Sequence, residues 1–113
     1  MRLSEIDIGK LIPHREPMIM IDSLLSYDEQ CTATSFTIKS NNIFLEEGRF
    51  SAYGMVENIA QTAAAGSGYY YFINNLEVPV GFIGAITKLQ ILDYASVGVD
   101  LTTQVSIIAT LEQ

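Results

Sequence analysis

The chain has 113 residues, of which 49% are hydrophobic, so it can bury the core of one domain. Its 6 basic and 13 acidic residues give a formal net charge of −7, which argues against the basic surface of a nucleic-acid-binding protein. The single cysteine, Cys31, cannot form an internal disulfide and has no second Cys or nearby His for a metal site. We expect one domain, residues 1–113, without metal or nucleic acid.

From the sequence we expect neither a membrane span nor a secretion signal. The first ten residues, MRLSEIDIGK, are too polar for a signal peptide, and no stretch reaches the ~18 apolar residues of a membrane span. We therefore expect a cytoplasmic protein that has no membrane partner.

In chain order, the first predicted elements are a short helix and two strands. Residues 4–12 are typical of a short helix that Pro13 ends. Residues 18–27 are apolar, as in a buried strand, whereas residues 31–40 alternate and are rich in Thr, as in a half-buried strand. The short connection between them suits a hairpin.

A long helix is predicted next, over residues 52–73. Its alanines and glycines leave little side chain, so it can lie very close to a sheet. The aromatic run 69–72 at its end either lines an acyl tunnel or packs in the core.

Two further strands are predicted over residues 81–92 and 99–111. The whole order predicts an α+β fold in which an antiparallel sheet wraps the helix. The pattern stops at Gln113, where another strand is expected. Either a C-terminal strand is missing or a partner covers the last edge.

Several stretches together resemble the 3-hydroxyacyl-[acyl-carrier-protein] dehydratases. They are LIPHREPMIMID (11–22), NNIF and EEGRF (41–50), GMVENIAQTAAA (54–65) and GFIGAITKLQILDYASVGVDL (81–101). The resemblance implies the hotdog fold, a curved antiparallel sheet wrapped around a long central helix. It also implies a homodimer or an oligomer of dimers, acyl tunnels at the dimer interface, no cofactor, and an acyl carrier protein as partner.

The sequence departs from the main family at its catalytic histidine. The family's Gly-His-Phe triplet is replaced by Gly48-Arg49-Phe50, and the loop that follows is shorter. These features are more similar to the divergent branch associated with aryl-polyene and flexirubin-type pigments. The resemblance implies removal of water from a 3-hydroxyacyl thioester, which yields a trans-2-enoyl thioester in fatty-acid or polyene-type biosynthesis.

Glu57 is the first candidate catalytic residue, as the acid that protonates the leaving hydroxyl. Its apolar neighbours disfavour the charged form, as a general acid requires. The alternative is an interaction with the helix dipole, and only the resemblance favours catalysis. Gln61 shares the face of Glu57 and either orients the carboxylate or is a surface residue.

His14 is the only imidazole, and therefore the only candidate base of that kind. It lies between two prolines, and the alternative is that it pins this turn by a hydrogen bond. Arg49 cannot act as a base near neutral pH, but it could bind a carrier phosphate or polarise a carbonyl. The alternative is a solvated loop residue.

Gly54 lies near the predicted helix start, where a missing side chain could let a thioester carbonyl approach free backbone N–H groups. The alternative is that it only eases the turn into the helix. Three functions remain open: a dehydratase, a non-catalytic subunit that binds acyl chains or supports an active dehydratase partner, and an acyl thioesterase. The His14-Glu57 pair is the proposed catalytic set, with Gly54, Gln61 and Arg49 at the substrate.

Overall fold

The computed structural model describes residues 2–77 and 89–107. Two short 3-10 turns come first, followed by strands β1 to β4, helix α1 and strand β5. Their bounds are Leu3–Glu5 and Ile8–Lys10 for the turns, Ser23–Tyr27 (β1), Cys31–Thr37 (β2), Leu45–Glu46 (β3), Arg49–Phe50 (β4), Ala52–Ile73 (α1) and Asp100–Ser106 (β5). One long helix and antiparallel strands confirm the predicted α+β class.

Helix α1 has the predicted bounds, because one residue caps its start and another ends it. The Ser51 hydroxyl accepts a hydrogen bond from the N–H of Gly54 at 3.4 Å, as an N-cap does. At the other end Asn75 has a φ of 55°, the left-handed conformation that commonly follows a helix. No helix in the described part of the chain is long and apolar enough to span a membrane.

The main sheet has the order β1-β2-β5 and is antiparallel throughout. The Asp28 carboxylate makes the β1–β2 turn, because it accepts from the N–H groups of Gln30 and Cys31, each at 2.8 Å. Strand β2 then pairs with β5 along its whole length, from Cys31 opposite Ser106 to Thr37 opposite Asp100.

A smaller hairpin joins β3 and β4 directly before the helix. Its two turn residues, Glu47 and Gly48, have φ values of 52° and 78°. Positive φ at both central positions is the pattern of a type I′ turn, whose twist matches that of the flanking strands. The hairpin is tied to a later segment, since the N–H of Phe50 donates to Ala95 O at 2.8 Å.

Helix α1 packs against the sheet through small and polar residues. Gly66 lies against Thr32 of β2, and the Thr34 hydroxyl is 2.7 Å from that of Thr62. Two apolar clusters flank this contact. One holds Ile6, Ile8, Leu11, Ile12, Ile21, Leu24 and Ala65, and the other holds Met20, Phe36, Ile38 and Phe50. The expectation of a thin helix close to a sheet is confirmed.

The structure differs from two of the predicted elements and describes only part of a third. Residues 4–12 form two 3-10 turns, since the backbone is extended at Ile6 and the Asp7 carboxylate caps the second turn through Gly9 N–H at 2.9 Å. The strand predicted over 18–27 begins only at Ser23. The strand predicted over 81–92 lies mostly outside the described residues, and residues 89–92 are not in a strand.

Candidate active site

His14 lies in the turn between Pro13 and Pro17, at the edge of the core. The residue is half-buried. Within the described part of the chain its Nδ1 atom is buried and has no hydrogen-bond partner. A buried polar atom without a partner costs about 1–3 kcal/mol, so it calls for a reason, such as a ligand that completes the bond.

The chain that follows His14 is fixed to helix α1 by two buried amides. Gln61 is fully buried; its Oε1 accepts from Met20 N–H at 2.6 Å and its Nε2 donates to Met18 O at 2.8 Å. Asn58 Nδ2 donates to Met20 O at 2.7 Å. These bonds take the place of strand pairing here, which explains why β1 starts later than predicted.

Glu57 is half-buried on the flank of the same helical face. It is the only charged residue of α1 and the sixth residue of the helix, which lies beyond the first turn. The helix dipole acts mainly within the first turn, so the dipole explanation of Glu57 loses support. Gln61, one turn later, is not at the surface, and its amide is engaged by the 18–20 backbone rather than left free.

The structure thus joins the segment after His14 to the helical turn after Glu57. Sequence reasoning missed Asn58 and Thr62, which share this buried face with Gln61. Asn58 Oδ1 accepts from the Thr103 hydroxyl, and the Thr62 hydroxyl donates to Asn58 O at 2.8 Å. The available signal was polar residues at i, i+3 and i+4 in an otherwise apolar helix.

Gly54 is buried, and the space beside it is filled. A Cβ at this position would overlap the Phe50 ring, with Cζ at 2.7 Å. The missing side chain therefore makes room for Phe50, and the N–H of Gly54 is held by the Ser51 cap. An approach of a ligand to Gly54 itself would require both of these neighbours to move.

Arg49 is exposed on β4, where it pairs with Ser96 in an isolated antiparallel bridge. It lines an open groove of about 420 Å³ together with Glu46, Glu47, Phe50, Ser51 and Tyr94. Because Ser51 is the helix N-cap, the structure brings Arg49 to the positive end of α1. Two carboxylates also face this groove, so its charge is mixed.

Metal-ligand clusters are absent from residues 2–77 and 89–107. No group of three or more His, Cys, Asp or Glu side chains there is arranged to hold a metal ion.

A long helix packed on an antiparallel sheet is the arrangement of a hotdog-type α+β protein. The model of the ApeP-like family, described as ApeP dehydratase, matches residues 6–112, and the chain belongs to this family. The dehydratase heterocomplex ApeI:P from Xenorhabdus doucetiae is similar in structure, with a TM-score of 0.79. Sequence identity to it is 17%, over 95% of this chain and 74% of that chain. No curated protein matches the chain.

Proposed function

We propose that the chain removes water from 3-hydroxyacyl thioesters carried on an acyl carrier protein, in fatty-acid or polyene-type biosynthesis. A base takes the proton from the carbon next to the thioester carbonyl. The electron pair forms the C2–C3 double bond as the C3–O bond breaks, and an acid protonates the departing hydroxyl. The products are a trans-2-enoyl thioester and water. Membership of the ApeP-like dehydratase family supports this reaction type.

The observation that carries the proposal is the unpartnered Nδ1 of His14. It is buried, and it belongs to the only imidazole of the chain. A neutral imidazole near neutral pH is suited to take a proton from carbon. In our proposal His14 is this base, and a bound substrate supplies the partner that Nδ1 lacks.

Glu57 is the proposed acid. Glu57 is half-buried and is the only charged residue of α1, the helix to which the segment after His14 is hydrogen-bonded, and this placement supports the role. After each turnover His14 holds the proton from carbon and Glu57 has lost its own. Exchange with water restores both groups, so the cycle needs no cofactor.

The groove at Arg49 is the proposed entry for the carrier arm. A guanidinium binds phosphate through paired N–H donors, and the nearby end of α1 adds positive potential. The thioester carbonyl would then lie near the start of the helix, where an approach to Gly54 requires both the Phe50 ring and the Ser51 hydroxyl to move.

A second candidate function is a supporting subunit in a heterocomplex. Two observations favour it: Arg49 replaces the catalytic histidine of the main family, and the similar solved structure is a complex of two dehydratase subunits. In that arrangement the partner supplies the complete catalytic set, and this chain shapes the shared acyl tunnel. The homodimer inferred from the resemblance is the competing assembly.

A reconstitution experiment separates these functions. The purified chain is given a 3-hydroxyacyl carrier protein, alone and with a separately purified second dehydratase subunit, and loss of one water is followed by mass spectrometry. Turnover by the chain alone, abolished in His14→Ala, supports the first function. Turnover only with the partner, unchanged by His14→Ala, supports the second. Release of free acid without loss of water would indicate a thioesterase and overturn both.

A further inference from the structure

The turn that carries His14 is attached to helix α1 at both of its ends. Before the turn, the backbone of Leu11 lies directly on Gly68, where an added Cβ would be 2.8 Å from the Leu11 carbonyl carbon. After the turn, Met18 O accepts from Gln61 at 2.8 Å. The two contacts, at Gly68 and Gln61, are seven residues apart on the helix, so the turn runs along about two helical turns of α1.

The turn is also cross-linked within itself. One guanidinium nitrogen of Arg15 donates to Ile12 O at 3.0 Å and to His14 O at 2.7 Å. The N–H of Met18 donates to Arg15 O at 3.0 Å. A segment held in this way moves as one unit, so its position relative to the helix depends on its two attachments.

We propose that Gln61 and Asn58 are positioning residues, which set the location of the His14 ring by clamping the 18–20 backbone to α1. Both amides are almost fully buried, at 0% and 3% exposure, so water cannot replace their bonds cheaply. The catalytic consequence rests on the proposed function, because it assumes that His14 must reach the substrate.

The clamp explains three features together. Two amide side chains on a helix surface supply the hydrogen bonds that a neighbouring strand would supply to Met18 and Met20. Both polar atoms of the Gln61 amide are hydrogen-bonded. The 18–20 backbone is therefore fixed in its position along α1 as well as in its distance from α1. The same helix carries Glu57, so the clamp holds the turn with His14 and the carboxylate of Glu57 on one rigid element.

The test uses the fact that His14 is the only histidine, so its ring gives unambiguous NMR signals in 15N-histidine-labelled protein. Gln61→Met keeps the side-chain volume but removes both hydrogen bonds. Thr34→Val is the matched control, since it removes a buried hydroxyl whose hydrogen bond goes to Thr62 and not to the 18–20 backbone. We expect the His14 ring signals to move and broaden in Gln61→Met and to stay in place in Thr34→Val.

Asn58→Leu provides a second variant if Gln61→Met does not fold. It keeps a similar side-chain volume but removes the donor to Met20 O, and the same displacement of the His14 signals is expected. Unchanged signals in whichever of these variants folds would overturn the proposal. So would an equal change in Thr34→Val, because it would show general loosening rather than a clamp.

Kinetics add a second readout if the chain dehydrates its substrate. A misplacement of about 1 Å can cost about 10²-fold in rate, so Gln61→Met should lower kcat at least about 10-fold with little change in KM. Thr34→Val should lower neither. The NMR experiment does not require turnover. Absence of turnover in the wild type would therefore reject the proposed function, whereas the clamp would still be tested by the His14 signals.

Discussion

Gly66 of α1 and Thr32 of β2 meet with no space for a methyl group between them. A Cβ at residue 66 would overlap the Thr32 hydroxyl and lie 3.1 Å from its Cβ and 3.2 Å from its Cγ2. Thr32 is itself buried in the middle strand of the sheet. The distance between helix and sheet is therefore set by the absence of a side chain at this position.

Gly66→Ala should lower the free energy of unfolding. Ala is a better helix former than Gly by about 1 kcal/mol, but overpacking costs about 1–3 kcal/mol, so we expect a net loss of about 1 kcal/mol. Urea denaturation measures it. Adding Thr32→Ala removes the obstructing hydroxyl and should recover part of the loss, whereas an increase in stability of Gly66→Ala alone would contradict the packing described.

The Thr34 and Thr62 hydroxyls should behave as a coupled pair. Both residues are 0% exposed, so removing one hydroxyl leaves the other without this partner. We expect Thr34→Val and Thr62→Val each to cost about 1–3 kcal/mol, and the double variant to cost about 1 kcal/mol less than their sum. A double-mutant cycle in urea measures the coupling, and simple additivity would speak against the hydrogen bond.

Because of Tyr27, we expect the free energy of unfolding to decrease at alkaline pH. Burial, followed by the negative charge of Glu29, raises the pKa of its hydroxyl above the usual value of 10.0. The folded state then keeps the phenol proton to higher pH than the unfolded state, so stability is unaffected below about pH 10 and falls as pH rises through the folded pKa. Tyr27→Phe should make this decrease in stability with rising pH smaller.

The measurement for Tyr27 is the denaturation midpoint as a function of pH, from neutral to well above pH 10. Tyr53→Phe is the matched control, because Tyr53 is 74% exposed on the outer side of α1. An equally steep alkaline fall in Tyr27→Phe and in the control would mean that Tyr27 contributes nothing to it.

Glu47→Asn should stabilise the β3–β4 hairpin. Glu47 has a φ of 52° at the first central position of the turn, a conformation that Asn adopts more readily than Glu. We expect a gain of about 0.5–1 kcal/mol, read as a higher thermal midpoint. Glu46→Asn, in strand β3, is the control and should give no gain, since Asn is disfavoured in strands.

The helix and the middle strand were predictable because their signals are local. Ser51 caps the helix, small residues mark its packed face, and alternation marks β2. The segment 18–20 was not, because its backbone is bonded to the side chains of Gln61 and Asn58 about forty residues away. The periodicity of a sequence does not indicate pairing between a backbone segment and distant side chains.

The candidate site was predictable only in part, for the same reason. The resemblance pointed to Glu57, and His14 was a candidate as the only imidazole, but their roles remain predictions. The engagement of Gln61 by the 18–20 backbone and the filling of the space at Gly54 by Phe50 depend on tertiary contacts. Both contacts join residues through the folded structure, and neither follows from residue type alone.

The most direct test of the account is dehydration of a 3-hydroxyacyl carrier protein by Glu57→Gln, with the second dehydratase subunit present. Glu29→Gln, an exposed carboxylate in the β1–β2 turn, is the matched control. Loss of a general acid typically costs about 10²–10⁴-fold, so we expect a fall of at least about 100-fold in kcat for Glu57→Gln and none for Glu29→Gln. Wild-type activity in Glu57→Gln, with the protein folded, would contradict the central claim that this chain supplies the acid.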